Sequence, residues 1–420
     1  GAGPARVTSD LVSELRLRSL GPALKPGRVA DIAVDPRNRS VWYLANGSGG
    51  LWKTTNRGND WQPIFDDGGS YSLGCVTIDD RNPDVIWLGT GENSSNRSVG
   101  YGDGVYKSTD GGKSWKRMGL RDSQHIGKII VDPRDSDVVF VAAEGPLWSG
   151  GGDRGLFKTT DGGQSWNVIL RIGRNTGVTD IALDPRDPDV IYAASYQRRR
   201  HVGTLIGGGP ESAIYKTTDG GHTWKKLTNG LPAADKGRIA LAASAQNPDI
   251  VYALVCAAGD ASGFFRSADR GETWIRQSDY KVVDPQYYGE IYADPHRFDR
   301  VYAMDMISNV TDDGGKNFSR VSWKMHVDHH AMAFDPTDPD HLLVGNDGGL
   351  YESYDRGRTW RHFTNLPTAQ FYRVETDNAL PFYNVYGGTQ DNGSMAGPVS
   401  YTHLRAHETS LHLVCRLLLE

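Results

Sequence analysis

The chain is 420 residues long, 23% charged and 38% hydrophobic, with a formal net charge of −5 at pH 7. That balance argues against a nucleic-acid-binding surface, which needs a basic face, and no apolar run approaches the ~18 residues of a helical membrane span. Fifty-one Gly, 20 Pro and 11 Trp are the composition of a turn-rich chain of many short strands. Three cysteines, Cys75, Cys256 and Cys415, supply neither a disulfide framework nor metal-ligand spacing.

In chain order, ELRLRSLGP (Glu14–Pro22) alternates like a strand but lacks a hairpin of its own. From Ile32 onward one unit recurs seven times. Each begins with an apolar run, an Asp-Pro or Asn-Pro type turn and a second β-branched run, which read as a hairpin. The copies are Ile32–Ala45, Val76–Gly89, Ile129–Ala142 and Ile181–Ala194, then the weaker Leu241–Leu254, Ile291–Met304 and Met332–Gly345. A third short strand follows, for example GLWKT, GVYKS or GLFKT, and then a fixed phrase ending in an aromatic residue. That phrase occupies Thr54–Trp61, Ser108–Trp115, Thr159–Trp166, Thr217–Trp224, Ser267–Trp274, Thr311–Phe318 and Ser353–Trp360, at intervals of 42 to 58 residues. Its Asp accepts backbone hydrogen bonds within the turn, its Gly allows a positive φ, and its ring fills space between neighbouring sheets. Asn56 in the first copy can make the same bonds. A carboxylate used once per repeat serves the repeat, so these Asp residues are read as structural.

A self-similar period near fifty predicts an all-β radial array: a β-propeller of four-stranded antiparallel blades, with seven blades preferred and eight the alternative. Residues 1–369 form the propeller. Residues 370–398 open a further blade or a second propeller, with strands near Phe371–Thr376 and Tyr383–Gly388, cut short. Residues 399–420 drop the rhythm and read as a non-native tail, translated sequencing adapter. The two closures are a seven-bladed ring, or an eighth blade completed by the Glu14 strand.

The hairpin turns and the phrase turns fall on one face of the disc; the second-to-third-strand loops fall on the other. Those loops are long at Gly91–Asp103, Glu144–Arg154 and Ser195–Ser212, and long loops on a rigid frame gather binding residues. The innermost strands line the channel, where Asp31, Cys75, Lys128, Asp180, Ala240, Glu290 and Ala331 occupy equivalent entry positions. Asp31, Asp180, Glu290 and Asp328 are the candidate catalytic carboxylates. Arg28, Glu92, His125, Lys128, Tyr287, Tyr288 and His329 are the candidate ligand-binding residues. Strand alternation would set His326, Asp328 and His330 on one side, a spacing that suits metal ligation or acid–base work; they are weak metal candidates, and no bound metal is expected. No Rossmann, P-loop or nucleophile-elbow pattern is present, and no cofactor is expected.

The phrase is the Asp-box, and the chain resembles the bacterial Asp-box (BNR-repeat) propellers described as sortilin N-terminal-like or "glycosyl hydrolase" repeat proteins. RSLGPALKPGRVADIAVDP, GSGGLWKTTNRGNDW, DHHAMAFDP, GNDGGLYESYDRGRTW and VYGGTQDNGS carry that resemblance. It implies a secreted or periplasmic protein, longer than this chain and of no assigned reaction. More distantly the chain resembles oligoxyloglucan reducing-end-specific cellobiohydrolase and the endo-xyloglucanases, two-propeller inverting enzymes with one catalytic Asp per propeller. The position matching their first Asp, two before Gly49-Gly50, is Gly47, which cannot act as a base.

Three functional classes follow. The first is a carbohydrate-active propeller, binding a glycan or, if an enzyme, hydrolysing one through carboxylates at the channel mouth. Mouth aromatics Tyr71, Tyr101, Trp148, Tyr196, Tyr287, Tyr288 and Trp323 favour it. The second is a sortilin-like peptide- or protein-binding propeller. The third is a structural module of a longer exported protein.

Overall fold

Each repeat folds as one antiparallel sheet, its strands A to D hydrogen-bonded in sequence order. The computed structural model describes residues 25–398; the Glu14–Pro22 strand and the 399–420 tail lie outside them. Strand A of the seven blades spans Val29–Val34, Leu73–Ile78, Ile126–Asp132, Thr176–Asp184, Lys236–Ala243, Ile291–Ala293 and His329–Phe334. Strand D begins directly after the aromatic residue of each phrase, as at Lys116–Gly119 and Asn167–Leu170. Among the described residues there is no α-helix, only a 3-10 turn at Arg121–Ser123. Blade 4 carries a fifth strand, Leu205–Gly207, paired with the long second strand Asp187–Arg200.

Apolar faces of neighbouring blades close on each other, as where Phe140 and Leu156 of blade 3 meet Val178, Ile181 and Ile191 of blade 4. Val29, Ile32, Trp42 and Leu44 of blade 1 pack against Ala331, Leu343 and Leu350 of blade 7. The ring therefore closes at seven blades, each made of contiguous residues. Gly27 N–H donates to Thr368 Oγ1 at 2.9 Å and Thr368 N–H to Lys25 O at 3.1 Å, tying the first described residues to the end of blade 7. A three-stranded sheet follows, Phe371–Thr376, Asn384–Thr389 and Ser394–Pro398.

The phrase turns are self-contained. Thr159 Oγ1 accepts from Gly163 N–H at 2.9 Å and donates to Asp161 Oδ1 at 2.7 Å. Asp161 in turn accepts from Ser165 N–H at 2.9 Å and Ser165 Oγ at 2.6 Å, and these bonds hold its carboxyl well below the usual range. Asn56 takes the same place, accepting from Thr54 Oγ1 and Asp60 N–H. Gly163 has φ 94°, and a Cβ there would lie 2.7 Å from Trp87 of the preceding blade, so glycine is required twice over. Trp166, half-buried, donates from Nε1 to Met118 O of blade 2 at 2.7 Å. Trp115 donates likewise to Ile64 O of blade 1 at 2.7 Å, so these two turns rivet their blades to the ones before.

Every phrase turn also bonds to the hairpin turn of its own blade. Gly111 N–H donates to Asp84 O, Gly162 to Asp137 O, Gly220 to Asp189 O and Gly314 to Asp299 O; Arg57, Arg270 and Arg356 bond likewise to Ser40, Asp249 and Asp340. Both turn types therefore share one face of the disc. The long loops lie on the other.

Candidate functional site at the channel mouth

On that second face the Gly91–Asp103 loop of blade 2 crosses the mouth as a strap. Arg198 of blade 4 donates to Ser94 O at 2.8 Å and to Ser95 Oγ at 2.9 Å. Arg200 donates to Ser95 O at 2.9 Å and to Gln286 Oε1 at 2.6 Å, while Ser95 N–H reaches Gln286 O at 2.7 Å. The strap is thereby pinned to blades 4 and 6. Beneath it Arg198 Nη1 lies 2.9 Å from Glu144 Oε2, both side chains 1% exposed. Burial pushes the Glu144 carboxyl up to about 7 against the opposing pull of Arg198 and Arg238. Burial, and then the Arg198 charge, push His125 down to about 3, so its ring is neutral at pH 7 and donates from Nδ1 to Glu92 O at 2.8 Å.

The channel residues meet under this strap. Asp31, Cys75, Lys128, Asp180, Ala240 and Glu290 line a cavity of about 100 Å³ together with Asn93, Arg238 and Tyr292. β-Bulges at Val29/Asp31, Leu73/Cys75 and Val178/Asp180 re-aim the entry residues. Asp31 accepts from Ile32 N–H and, across the blade boundary, from Val76 N–H, both at 2.9 Å. Asp180 does the same with Ile181 and Leu241 N–H and also takes Lys128 Nζ at 2.6 Å. Both carboxylates staple neighbouring blades. Burial, opposed by the Val76 N–H, holds Asp31 up at about 6. Glu290 pairs with Arg238 through Oε1, and its Oε2 is buried without a partner. The space is smaller than the ~150 Å³ that accommodates a six-membered ring.

A second cluster lies between blades 1, 2, 6 and 7. Arg28 pairs with Glu92 and, through Nε and Nη2, grips Asp347 at 2.9 and 3.2 Å. His330 Nε2 lies 2.9 Å from Asp347 Oδ1, and Tyr287 donates its hydroxyl to Oδ2. Tyr288 donates to Asp328. Despite burial, the bonds from His330 and Arg28 hold the Asp347 carboxyl well below the usual range, whereas burial raises Asp328 and Asp391. Carboxylate oxygens of Asp328, Asp347 and Asp391 lie within 4.8 Å of one another, the one grouping of possible metal ligands among the described residues. Asn392 Nδ2 donates to Asp347 O at 2.9 Å, joining the three-stranded sheet to blade 7.

The alternation expected for His326, Asp328 and His330 does not hold. The strand starts only at His329, Asp328 has φ 68°, and a bulge separates His329 from Ala331. His326 bonds to Val327 O and Asp391 O, His330 turns to Asp347, and His329 is buried with Nδ1 unpartnered. Sequence reasoning missed Asp347, the centre of the cluster. Its signal was the blade-7 loop Asn-Asp-Gly-Gly (346–349), in the position where blade 1 has the Gly47 stretch. A Cβ on Gly47 would lie 3.1 Å from both Arg28 Cδ and Glu92 Cδ, so the Arg28–Glu92 pair fills the space beside that glycine. Glu144, Arg198, Arg200 and Arg238 were also missed.

Beside the strap a groove of about 590 Å³ opens between blades 2, 4 and 6, bordered by Asn96, Arg97, Tyr196, Arg200, Asp284 and Gln286. Of the mouth aromatics, Tyr196, Tyr287 and Tyr288 are buried or half-buried, whereas Tyr101, Trp148 and Trp323 are exposed. Arg320 stacks on Trp323 at 3.7 Å.

Fold and site together define a seven-bladed β-propeller with a turn-riveted face and a strapped mouth. The Sortilin-Vps10 family model (sortilin, neurotensin receptor 3) matches residues 103–252. The probable oligoxyloglucan-reducing end-specific xyloglucanase of Neosartorya fischeri is 22% identical over 361 residues, covering 81% of this chain and 41% of that protein. Xyloglucanase Xgh74A of Acetivibrio thermocellus is 28% identical over 239 residues, covering 48% and 26%. Among solved structures, the GH74 enzyme of Niastella koreensis superposes with a TM-score of 0.64 at 17% identity, over 90% of this chain and 60% of that one. YCF48 of Cyanidioschyzon merolae superposes at 0.52 and 13% identity, over 81% and 99%. The chain is a β-propeller with a distant relationship to the xyloglucanases. It spans about a quarter to two fifths of the length of these curated relatives.

Proposed function

We propose that this chain is the glycan-binding propeller of a longer, extracytoplasmic carbohydrate-active protein, with the ligand lying across the mouth face. The groove of about 590 Å³ beside the strap carries this reading: it lies on the face opposite the rivets and is large enough for a sugar chain, and the related proteins are xyloglucanases. Binding is favoured over hydrolysis because the candidate carboxylates are already engaged. Asp31 and Asp180 staple blades, Glu290 is paired with Arg238, Asp328 with Tyr288 and Asp347 with Arg28. Hydrolysis needs two carboxyl groups flanking an open bond site, and Gly47 offers none.

Retention of the full chain in gels containing soluble polysaccharides, with reducing-sugar release measured in parallel, tests this. Retention without release is expected; failure to bind any glycan would refute it. A peptide ligand is the second reading, favoured by the sortilin match over residues 103–252 and by a structural neighbour, YCF48, solved with a D1 peptide bound.

A further inference from the structure

The groove carries a charge of its own in a protein of net charge −5. Arg97 is exposed and has no ion pair or hydrogen bond among the described residues. Arg200 is buried, and its two hydrogen bonds go to neutral acceptors, Ser95 O and Gln286 Oε1. One acid borders the groove: Asp284 accepts from Gln286 N–H at 3.2 Å and Gln286 Nε2 at 3.1 Å, and its charge offsets one of the two cations. Arg97 and Arg200 both border the groove, so two like charges face one space; burial, and next the charge of Arg97, hold the Arg200 guanidinium below its ordinary range. Asn96 Oδ1 is buried there without a donor, and Tyr196 borders the same groove.

We propose that this groove binds the anionic groups of an acidic glycan, a uronate carboxylate or a sulfate, gripped between Arg97 and Arg200. Guanidinium forks match both groups geometrically and form the stronger, charge-assisted class of hydrogen bond. A hydroxyl of the same sugar supplies the donor that Asn96 lacks. The assignment rests on the glycan reading above and names its ligand.

The test runs the intact chain through native gels containing polygalacturonate (carboxylate), dextran sulfate (sulfate), xyloglucan (neutral) or poly-glutamate (acidic peptide). Wild type is compared with Arg97→Ala and Arg97→Lys. Arg97 is exposed, so both variants keep the fold, which equal melting temperatures confirm. Retention by at least one of the two acidic glycans, weakened about tenfold by Arg97→Ala and less by Arg97→Lys, and falling with added salt, is the expected result. Which of the two retains the protein identifies the anion. Equal retention by xyloglucan, indifferent to Arg97→Ala, overturns the anionic assignment and leaves the glycan reading standing. Retention by poly-glutamate alone overturns both.

Discussion

The turn face and the mouth face are built on the same seven sheets, yet they satisfy their polar groups in different ways. On the turn face the carboxylate of each phrase finds its partners within four residues, as Asp161 does with Thr159 and Ser165. The same bonds recur in every blade. On the mouth face the partners are far apart in sequence: Arg28 with Asp347, Arg198 with Ser95, Arg200 with Gln286. None of these recurs. Buried atoms are left there without partners, among them Asn96 Oδ1, Arg198 Nε and Glu290 Oε2. A repeat unit can complete its own turns, but the mouth is assembled once from the whole ring, and its unmatched groups are what a ligand can use.

Substitutions that respect or breach this division should separate cleanly. The largest effect is expected at the strap. Arg198→Ala leaves Glu144 buried without its ion-pair partner and removes the bonds to Ser94 O and Ser95 Oγ, a loss of about 3–5 kcal/mol in denaturant unfolding together with loss of glycan retention. Gly47→Asp forces a side chain against Arg28 and Glu92 and is expected to cost about 1–3 kcal/mol without producing reducing-sugar release. Release by that variant would show that the open site needed only the missing carboxylate.

Thr159→Val, on the turn face, removes a buried hydroxyl that bonds Gly163 N–H and Asp161. It is expected to cost about 1–2 kcal/mol while glycan retention stays as in wild type. The last expectation is a trend with pH, not a loss on substitution at one pH. The Asp31 carboxyl is raised to about 6, so its contribution to stability is complete below the ordinary Asp value near 4 and is lost as pH rises through about 6. Asp31→Asn lacks that dependence, so wild-type stability relative to the variant should fall between pH 4 and 7. A relative stability that climbs over that range would contradict the assignment.

The blades were legible because their determinants are local and repeated. The Asp-Pro hairpins and the Thr-x-Asp turns each announce themselves within a dozen residues, and the sharing of one face by both turn types followed from strand order alone. Part of the mouth was legible too: Arg28, Glu92, Tyr287 and Tyr288 do converge, and the entry residues Asp31, Lys128, Asp180 and Glu290 do line one cavity. The rest depends on loops with no counterpart in other blades. Arg198 and Ser95 are 103 positions apart, a pairing no local pattern signals. The positive φ at Asp328 and the bulge after His329 break the alternation that the sequence suggests, although Asp328 and His330 still reach the Asp347 cluster.

Amide hydrogen exchange of the intact chain, with and without a retained polysaccharide, tests most directly which face works. The structure predicts protection in residues 94–97, 200–207 and 284–287, and unchanged exchange in the turns at 110–114, 161–165 and 219–223. Protection confined to those turns would contradict it.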